Sequence, residues 1–348
     1  MSGPAPDALR DALRLLAAGQ PLGGDAVTAA FDVVMRGEAT PAQIAGLLIA
    51  LRVRGESGEV VAAVVRAMRS VMVPLPVDDP DALVDTCGTG GGTVQTFNIS
   101  TAAALLAAGA GARVAKHGNR SNTTRSGSAD VLEALGVPID CPPERMRRVL
   151  DQAGIVFMFA PAMHPAMRHV GPVRRELAIP TVMNMVGPLA NPASAGRQVV
   201  GVAEVGRLPL MAGALASLGS VHAMVVYGEP GLDEISPLGP TRVLEVRRGR
   251  ATPEAWTIDP AEHGFAGVRE SDLAGGSPEE NAGVILEVLA GGGPAGAQAA
   301  VVLNAAAALY VAGIADSYAD GIGAARRALE RGDGLRALDR MRAAYGDA

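Results

Sequence analysis

Lysine is nearly missing from this 348-residue chain. Lys116 is the only one, and apart from five histidines every other basic residue is arginine. A lysine kept under so strong an arginine, alanine and glycine bias marks its position. Its compact ammonium on a flexible stem is not replaced by a planar guanidinium. Cysteine is almost as scarce: Cys87 and Cys141 show no metal-ligand spacing and no disulfide framework. Cys87 stands beside a glycine turn but has no identifiable base partner, so both read as ordinary small residues. Aromatic residues make up 3% of a chain that is 49% hydrophobic. The core must therefore be built from Ala, Val, Leu and Met, with close helix–strand packing. Positive charge is also short. The net charge is -6 and no basic run carries interleaved aromatics. That balance argues against nucleic acid or an anionic membrane as a partner. No charged-then-apolar leader pattern opens the chain, and no apolar run of about 18 residues free of charges and helix breakers stands out. A cytoplasmic protein is expected.

What is present is organised in two parts. Residues 1–72 read as helices only. Helical apolar spacing covers 7–18, and 25–37 follows with Asp25 as cap. Thr40-Pro41 is a cap followed by proline at the first helical position and starts a helix through Arg54. Ser57 caps the next, with Val60, Val61, Val64, Val65 and Met68 at apolar spacing. A proline-rich linker covers 73–80. Short apolar runs at 82–84, 112–115, 155–159, 199–203 and 221–227 then alternate with helical stretches. The alternation predicts an α/β domain over 81–348 with a mostly parallel sheet covered by helices. Ligands of such sheets bind at the carboxyl ends of the strands. Residues 164–191 break the alternation with helical patches and prolines, and 277–345 is again helical.

The stretch from 83 to 136 carries the chemistry. A short strand enters the turn Gly88-Thr89-Gly90-Gly91-Gly92, and Asn98, Ser100 and Thr101 open an alanine-rich helix. A second strand delivers Lys116-His117-Gly118-Asn119-Arg120-Ser121, and Ser126-Gly127-Ser128 opens a third run over 129–135. Glycine lets backbone N–H groups approach a phosphate, and a helix N-terminus adds partial positive charge. The device occurs twice with one lysine between the copies, as a ligand with two separate phosphate groups requires. The spacing is neither a Walker A loop nor a clean GxGxxG fingerprint.

These motifs resemble the anthranilate phosphoribosyltransferase family. Its pattern of GTGG, FNIST, KHGNRS and SGSADVLEALG stands here in order, followed by FMFAPAMHPAM from Phe157, NMVGPLANPA from Asn184, LDEIS from Leu232 and LNAAAAL from Leu303. The resemblance implies transfer of a phosphoribosyl group from 5-phosphoribosyl-1-pyrophosphate to the amine of anthranilate. It implies a small N-terminal helical domain over 1–73 joined by part of 164–196, a homodimer through that domain, and Mg²⁺, two ions per site. Phosphoribosyl pyrophosphate is then expected on Gly88, Gly91, Gly92, Thr96, Asn98, Ile99, Ser100, Thr101, Lys116, His117, Gly118, Asn119, Arg120, Ser121, Asn122, Thr123, Thr124 and Ser128. Anthranilate is expected on Gly88, His117, Asn119, His164, Arg174, Gly187 and Pro188, with Lys116 and Arg174 as the residues essential to catalysis. Ser100, Asp233 and Glu234 are the implied metal contacts, because hard carboxylate oxygens suit Mg²⁺. His117 and His164 read either as proton-transfer groups or as packed histidines.

Three positions depart from the pattern. Gly92 replaces the usual aspartate after GTGG, Asn122-Thr123-Thr124-Arg125 replaces VSSK, and Pro180 replaces the arginine of LGxRT. The first bears on metal handling and the third on acceptor preference. Two further readings stand beside the first: a same-fold transferase or nucleoside phosphorylase with another acceptor, and a non-catalytic nucleic-acid-binding paralogue.

Overall fold

The computed structural model describes residues 7–121 and 125–346. Four helices come first: α1 (Ala8–Ala17), α2 (Gly24–Met35), α3 (Pro41–Arg54) and α4 (Gly58–Arg69). Their starts follow from capping. Thr40 and Gln43 form a reciprocal capping box ahead of α3, and Ser57 accepts the N–H of Val60 at the start of α4. Asp25 is not a cap. Helix α2 starts one residue earlier with Gly23 at the cap, and Asp25 lies in the first turn, where a carboxylate complements the helix dipole.

Seven strands follow in one sheet: β1 (Leu83–Gly88), β2 (Arg113–Gly118), β3 (Ile155–Phe159), β4 (Arg197–Gly201), β5 (His222–Gly228), β6 (Thr241–Arg247) and β7 (Glu254–Ile258). Their order is β3-β2-β1-β4-β5-β6-β7. The first five are parallel, and β6 and β7 add an antiparallel edge. The sequence runs anticipate the five parallel strands but not β6 and β7. Those two bury only part of their side chains and contain no long apolar run.

Interleaved with the strands are α5 (Ile99–Gly109), α6 (Ser128–Ala134), α7 (Pro143–Ala153), α8 (Ala160–Met163), α9 (Met167–Leu177), α10 (Met183–Leu189) and α11 (Leu208–Ser217). The chain ends in α12 (Pro278–Leu289), α13 (Ala295–Ala312), α14 (Tyr318–Glu330) and α15 (Asp333–Gly346). One face of the sheet packs on α5, α13 and α15. The other face, through Val200, Val202, Ala223 and Val225, shares a core with α1–α4 and α9–α11. Helix α9 packs on α2 and α3, α10 on α4, and α11 also on α4. The irregular segment therefore returns to the N-terminal helices. By length and composition helix α13 is apolar enough to cross a membrane, yet 78% of it is buried inside the protein as a core helix.

The sheet opens where the site lies. β1 pairs with β4 along its whole length, from Val84↔Arg197 to Gly88↔Gly201. Its ladder with β2 stops after Leu83↔Arg113 and Val84↔Val114. Beyond that point side chains fill the gap. Asp85 Oδ1 accepts the His117 N–H, and Asn191 Nδ2 donates to both Asp85 Oδ2 and Ala115 O. The chain runs from β1 outward through β2 and β3, then returns to β4 on the other side. This reversal of strand order is where an open α/β sheet forms its ligand crevice.

Candidate functional site

Lys116 and His117 are strand residues. The apolar-run reading ends β2 at Ala115, but β2 continues to Gly118, and both side chains are buried. The lysine is accommodated by Thr86 on the opened neighbouring strand and Ser100 at the start of α5, whereas the His117 ring packs edge-on against His164. Lys116 Nζ donates to Thr86 O at 2.5 Å and to Ser100 Oγ at 3.2 Å. Burial lowers its pKa, and Asp85 is the largest charge acting the other way. Asp85 itself is raised to about 6 by burial, against the pull of Lys116.

The glycine turn packs against the segment after β5. Gly90 and Gly91 adopt φ of 69° and 82°, in the left-handed region that favours glycine. Gly90 N–H donates to Asp233 Oδ2 at 2.7 Å, and Thr93 N–H donates to Gly231 O at 3.1 Å. A Cβ on Gly88 would lie 2.3 Å from the same Asp233 oxygen. Glu234 Oε1 accepts the Ser100 N–H at 3.0 Å and so stands at the N-terminus of α5. Asn98 ties this helix start to the second loop: its Nδ2 donates to Ser126 O, and its Oδ1 accepts from Ser126 Oγ. Asp130 Oδ2 accepts the N–H groups of Gly127 and Ser121, closing that loop on α6.

Two cavities result. The first, about 680 Å³, is lined by the glycine turn, Thr96, Asn98, Ile99, Ser100, Lys116, His117, Gly118, Asn119, Arg120, Ser121, Ser128, Asp233 and Glu234. The second, about 920 Å³, is lined by His117, Asn119, His164, Arg174, Gly187 and Met68 among others. His117, Asn119, Arg174, Pro180 and Asn184 line both, so the cavities meet at these residues. Most of the sequence-predicted residues are thus brought together. Thr101 is not. Its side chain is buried behind the cleft, beside Leu132 and Phe157, because it faces the inner side of α5. Gly88 lines the first cavity but not the second, and Pro188 lines neither; its carbonyl accepts Gln198 Nε2. Asn122, Thr123 and Thr124 lie outside the described residues. Sequence reasoning missed Met68 from α4, and Glu204 and Arg207 from the turn after β4. They reach the site only through tertiary packing, and no local motif marks them.

Charge is unevenly spread. Burial raises Asp233, and it raises Glu234 to about 8, with the adjacent Asp233 charge the next cause. Such a half-buried carboxylate pair is relieved by a cation of two charges. Among the described residues no group of three His, Cys, Asp or Glu side chains can hold a metal alone. Asp233, Glu234 and the Ser100 hydroxyl form instead an incomplete set of hard oxygen donors. That fits Mg²⁺, which takes one or two carboxylates and completes its shell with water and phosphate oxygens. On the second cavity, burial lowers His117 to about 3 and His164 to about 4, and lowers Arg174. The two imidazoles are neutral near pH 7, with ring centroids 5.0 Å apart in an edge contact. The Cys87 thiol is pushed up by burial, which agrees with its reading as an ordinary residue.

This cleft, with two glycine-bearing turns at a sheet's switch point and an oxygen-donor pair beside them, has the parts that a transferase of phosphorylated sugars needs. Residues 80–335 match the a/b domain of the glycosyl transferase family, and residues 10–72 match its helical bundle domain. Among curated relatives, the anthranilate phosphoribosyltransferase of Rubrobacter xylanophilus is 49% identical, over 96% of each chain. That of Herpetosiphon aurantiacus is 47% identical, over 96% of this chain and 98% of the relative. Among solved structures, the anthranilate phosphoribosyltransferase of Thermus thermophilus superposes with a TM-score of 0.90 at 43% identity, covering 97% of this chain and 99% of that one. The Saccharomyces cerevisiae enzyme in complex with PRPP and Mg superposes with a TM-score of 0.88 at 26% identity, over the full length of both. The chain belongs to the anthranilate phosphoribosyltransferase family.

Proposed function

We propose that this protein transfers the 5-phosphoribosyl group of 5-phosphoribosyl-1-pyrophosphate to the amine of anthranilate, releasing pyrophosphate, in tryptophan biosynthesis. The observation that carries the reading is the meeting of a phosphate-type cleft and a second cavity at His117, Asn119 and Arg174. An arylamine is already a neutral nucleophile, so no activated serine or cysteine is needed. The barrier is departure of a highly charged leaving group from a cationic ribosyl carbon.

Each group has a task in this reading. The glycine turn and the start of α5 offer backbone N–H groups to one phosphate end, and Gly118 to Ser121 with Ser128 hold the other. Lys116, fixed from below by Thr86 and Ser100, places its ammonium between the two. Asp233, Glu234 and Ser100 would hold Mg²⁺, two ions per site. Bound Mg²⁺ supplies charge neutralisation of the departing pyrophosphate. Arg174 pairs with the carboxylate of anthranilate, a fork-to-carboxylate match. Positioning the amine next to the anomeric carbon supplies the rest. His117 and His164 border the ring as neutral imidazoles, and burial leaves both weak bases.

A homodimer through the N-terminal helices fits the same reading. Val53 of α3 is 83% exposed and Leu15 of α1 is 38% exposed, apolar side chains that a partner would cover. Static light scattering giving the monomer mass at working concentration counts against it. A cytoplasmic location accords with soluble small-molecule substrates.

The test of function is product stoichiometry. With both substrates and Mg²⁺, mass spectrometry should show N-(5-phosphoribosyl)anthranilate formed one-to-one with pyrophosphate. Phosphoribosyl pyrophosphate consumed only with a different acceptor identifies the alternative same-fold transferase. Binding of duplex DNA with steep salt dependence and no turnover identifies the non-catalytic alternative.

A further inference from the structure

Four cations other than histidine line the phosphate cleft: Lys116, Arg120, Arg174 and Arg207. Three are committed. Lys116 is fixed to Thr86 and Ser100 at the base of the cleft. Arg120 is held by Asp130 and Glu133 on the α6 side. Arg174 belongs to both cavities. Arg207 stands on the remaining wall, in the turn between β4 and α11, and it has no role in the family motifs.

This turn is hydrogen-bonded to the glycine loop through Thr89. Thr89 N–H donates to Gly201 O at 2.9 Å, and Ala203 N–H donates to Thr89 Oγ1 at 3.4 Å. Arg207 is therefore fastened beside Gly88 to Gly92 and Asp233, the end of the cleft that would hold the leaving group. Its side chain is only 11% exposed, and among the described residues its one ion pair is with Glu204, at 2.5 Å and three residues away. Glu204 is 57% exposed. Only the carboxylate side of the pair is open to solvent, so Glu204 can turn away into water when another anion arrives. Behind Arg207 lies Glu56, from the turn between α3 and α4. Its side chain is 3% exposed, its nearest cation Arg52 is 3.7 Å away, and Oε1 has no hydrogen-bond partner among the described residues. Glu56 lies within electrostatic reach of Arg207 and of Glu204. With Arg52 and the Val182 backbone as its own partners, Glu56 adds negative charge near the guanidinium without capping its donors.

We propose that Arg207 is a pyrophosphate-binding residue, which exchanges its contact with Glu204 for the oxygens of the leaving group. The assignment rests on the transferase reading of the cleft.

The test titrates inorganic pyrophosphate with Mg²⁺ into the full-length protein by calorimetry, and measures KM for both substrates. Arg207→Gln should weaken pyrophosphate binding and raise KM for phosphoribosyl pyrophosphate by about tenfold or more, the effect of losing one charge-assisted bond. KM for anthranilate should stay within about twofold, and Arg207→Lys should recover part of the loss, since point charge survives but the fork does not. Glu204→Gln keeps the arginine and removes its competitor, so it should tighten pyrophosphate binding. Wild-type affinity in Arg207→Gln, or equal rises in both KM values, overturns the proposal. Should Arg207→Gln unfold, Glu204→Gln decides alone: unchanged or weaker pyrophosphate binding overturns it. The calorimetry needs no turnover. An inactive wild-type protein therefore defeats the transferase reading while Arg207 is still decided.

Discussion

Gly90 donates its backbone N–H to Asp233 Oδ2 across 143 residues of sequence, at 2.7 Å. The bond joins the glycine turn after β1 to the acidic segment after β5. The proposed phosphate-binding backbone and the proposed metal-binding carboxylate are thus one unit. Glu234 repeats the arrangement at the start of α5, through the Ser100 N–H.

Replacing Asp233 with Asn and Glu234 with Gln keeps size and removes charge. Metal stabilisation of a leaving oxygen is worth several kcal/mol. The double variant should lose at least about 100-fold in kcat/KM, and added Mg²⁺ should restore only part of it. A Mg²⁺ titration identical to wild type contradicts the assignment.

Lys116→Met removes the ammonium and keeps an apolar stem in the buried strand. One charge-assisted hydrogen bond is worth about 1.5–3 kcal/mol, so kcat/KM for phosphoribosyl pyrophosphate should fall by about 10- to 150-fold. Circular dichroism should show the fold retained. Unchanged steady-state kinetics rule out contact with substrate.

Much of this site is legible in the sequence, and the limits have physical causes. The glycine turn and the KHGNRS and SGSAD loops are local, so their residues announce the cradle. Lys116 is misplaced by one step, because an apolar run ends at the first polar residue while the strand does not. Only the opened β1–β2 ladder shows why a lysine is stable there: Thr86 and Ser100 accept its protons. The edge strands β6 and β7 are missed because their half-exposed pattern lacks a continuous apolar run. Met68 and Arg207 come from a helix and a turn distant in sequence, and only packing assigns them to the cavities.

Gly92 has an ordinary φ, and a Cβ there would lie 3.1 Å from Gly231 O and 3.6 Å from Asp233 Oδ1. Gly92→Asp therefore sets a third carboxylate beside the acidic pair. It should tighten phosphoribosyl pyrophosphate binding at low Mg²⁺ by holding a metal, and introduce inhibition at high Mg²⁺ by slowing pyrophosphate release. Superimposable Mg²⁺ curves for kcat and KM in the two proteins refute this.

His117 and His164 set an acid limit on stability. Their folded pKa values, about 3 and about 4, lie below the ordinary 6.5 because burial disfavours the charged ring. Between those values and 6.5 the unfolded chain binds more protons than the native one, so stability rises with pH through this window and is lost as pH falls. Wild-type Tm should drop between pH 6.5 and 4, and the His117→Asn, His164→Asn double variant should show a shallower slope. Parallel slopes in thermal melts contradict neutral burial of these rings.

Phosphoribosyl transfer to anthranilate is placed where the two cavities meet. Anthranilate fluorescence, followed with phosphoribosyl pyrophosphate and Mg²⁺, tests it most directly. The decay should require protein, phosphoribosyl pyrophosphate and metal together, and its half-saturating anthranilate concentration should rise about tenfold or more in Arg174→Gln, which loses the charged carboxylate contact. Constant fluorescence with the folded wild-type protein at saturating substrates, or a decay indifferent to Arg174, contradicts it.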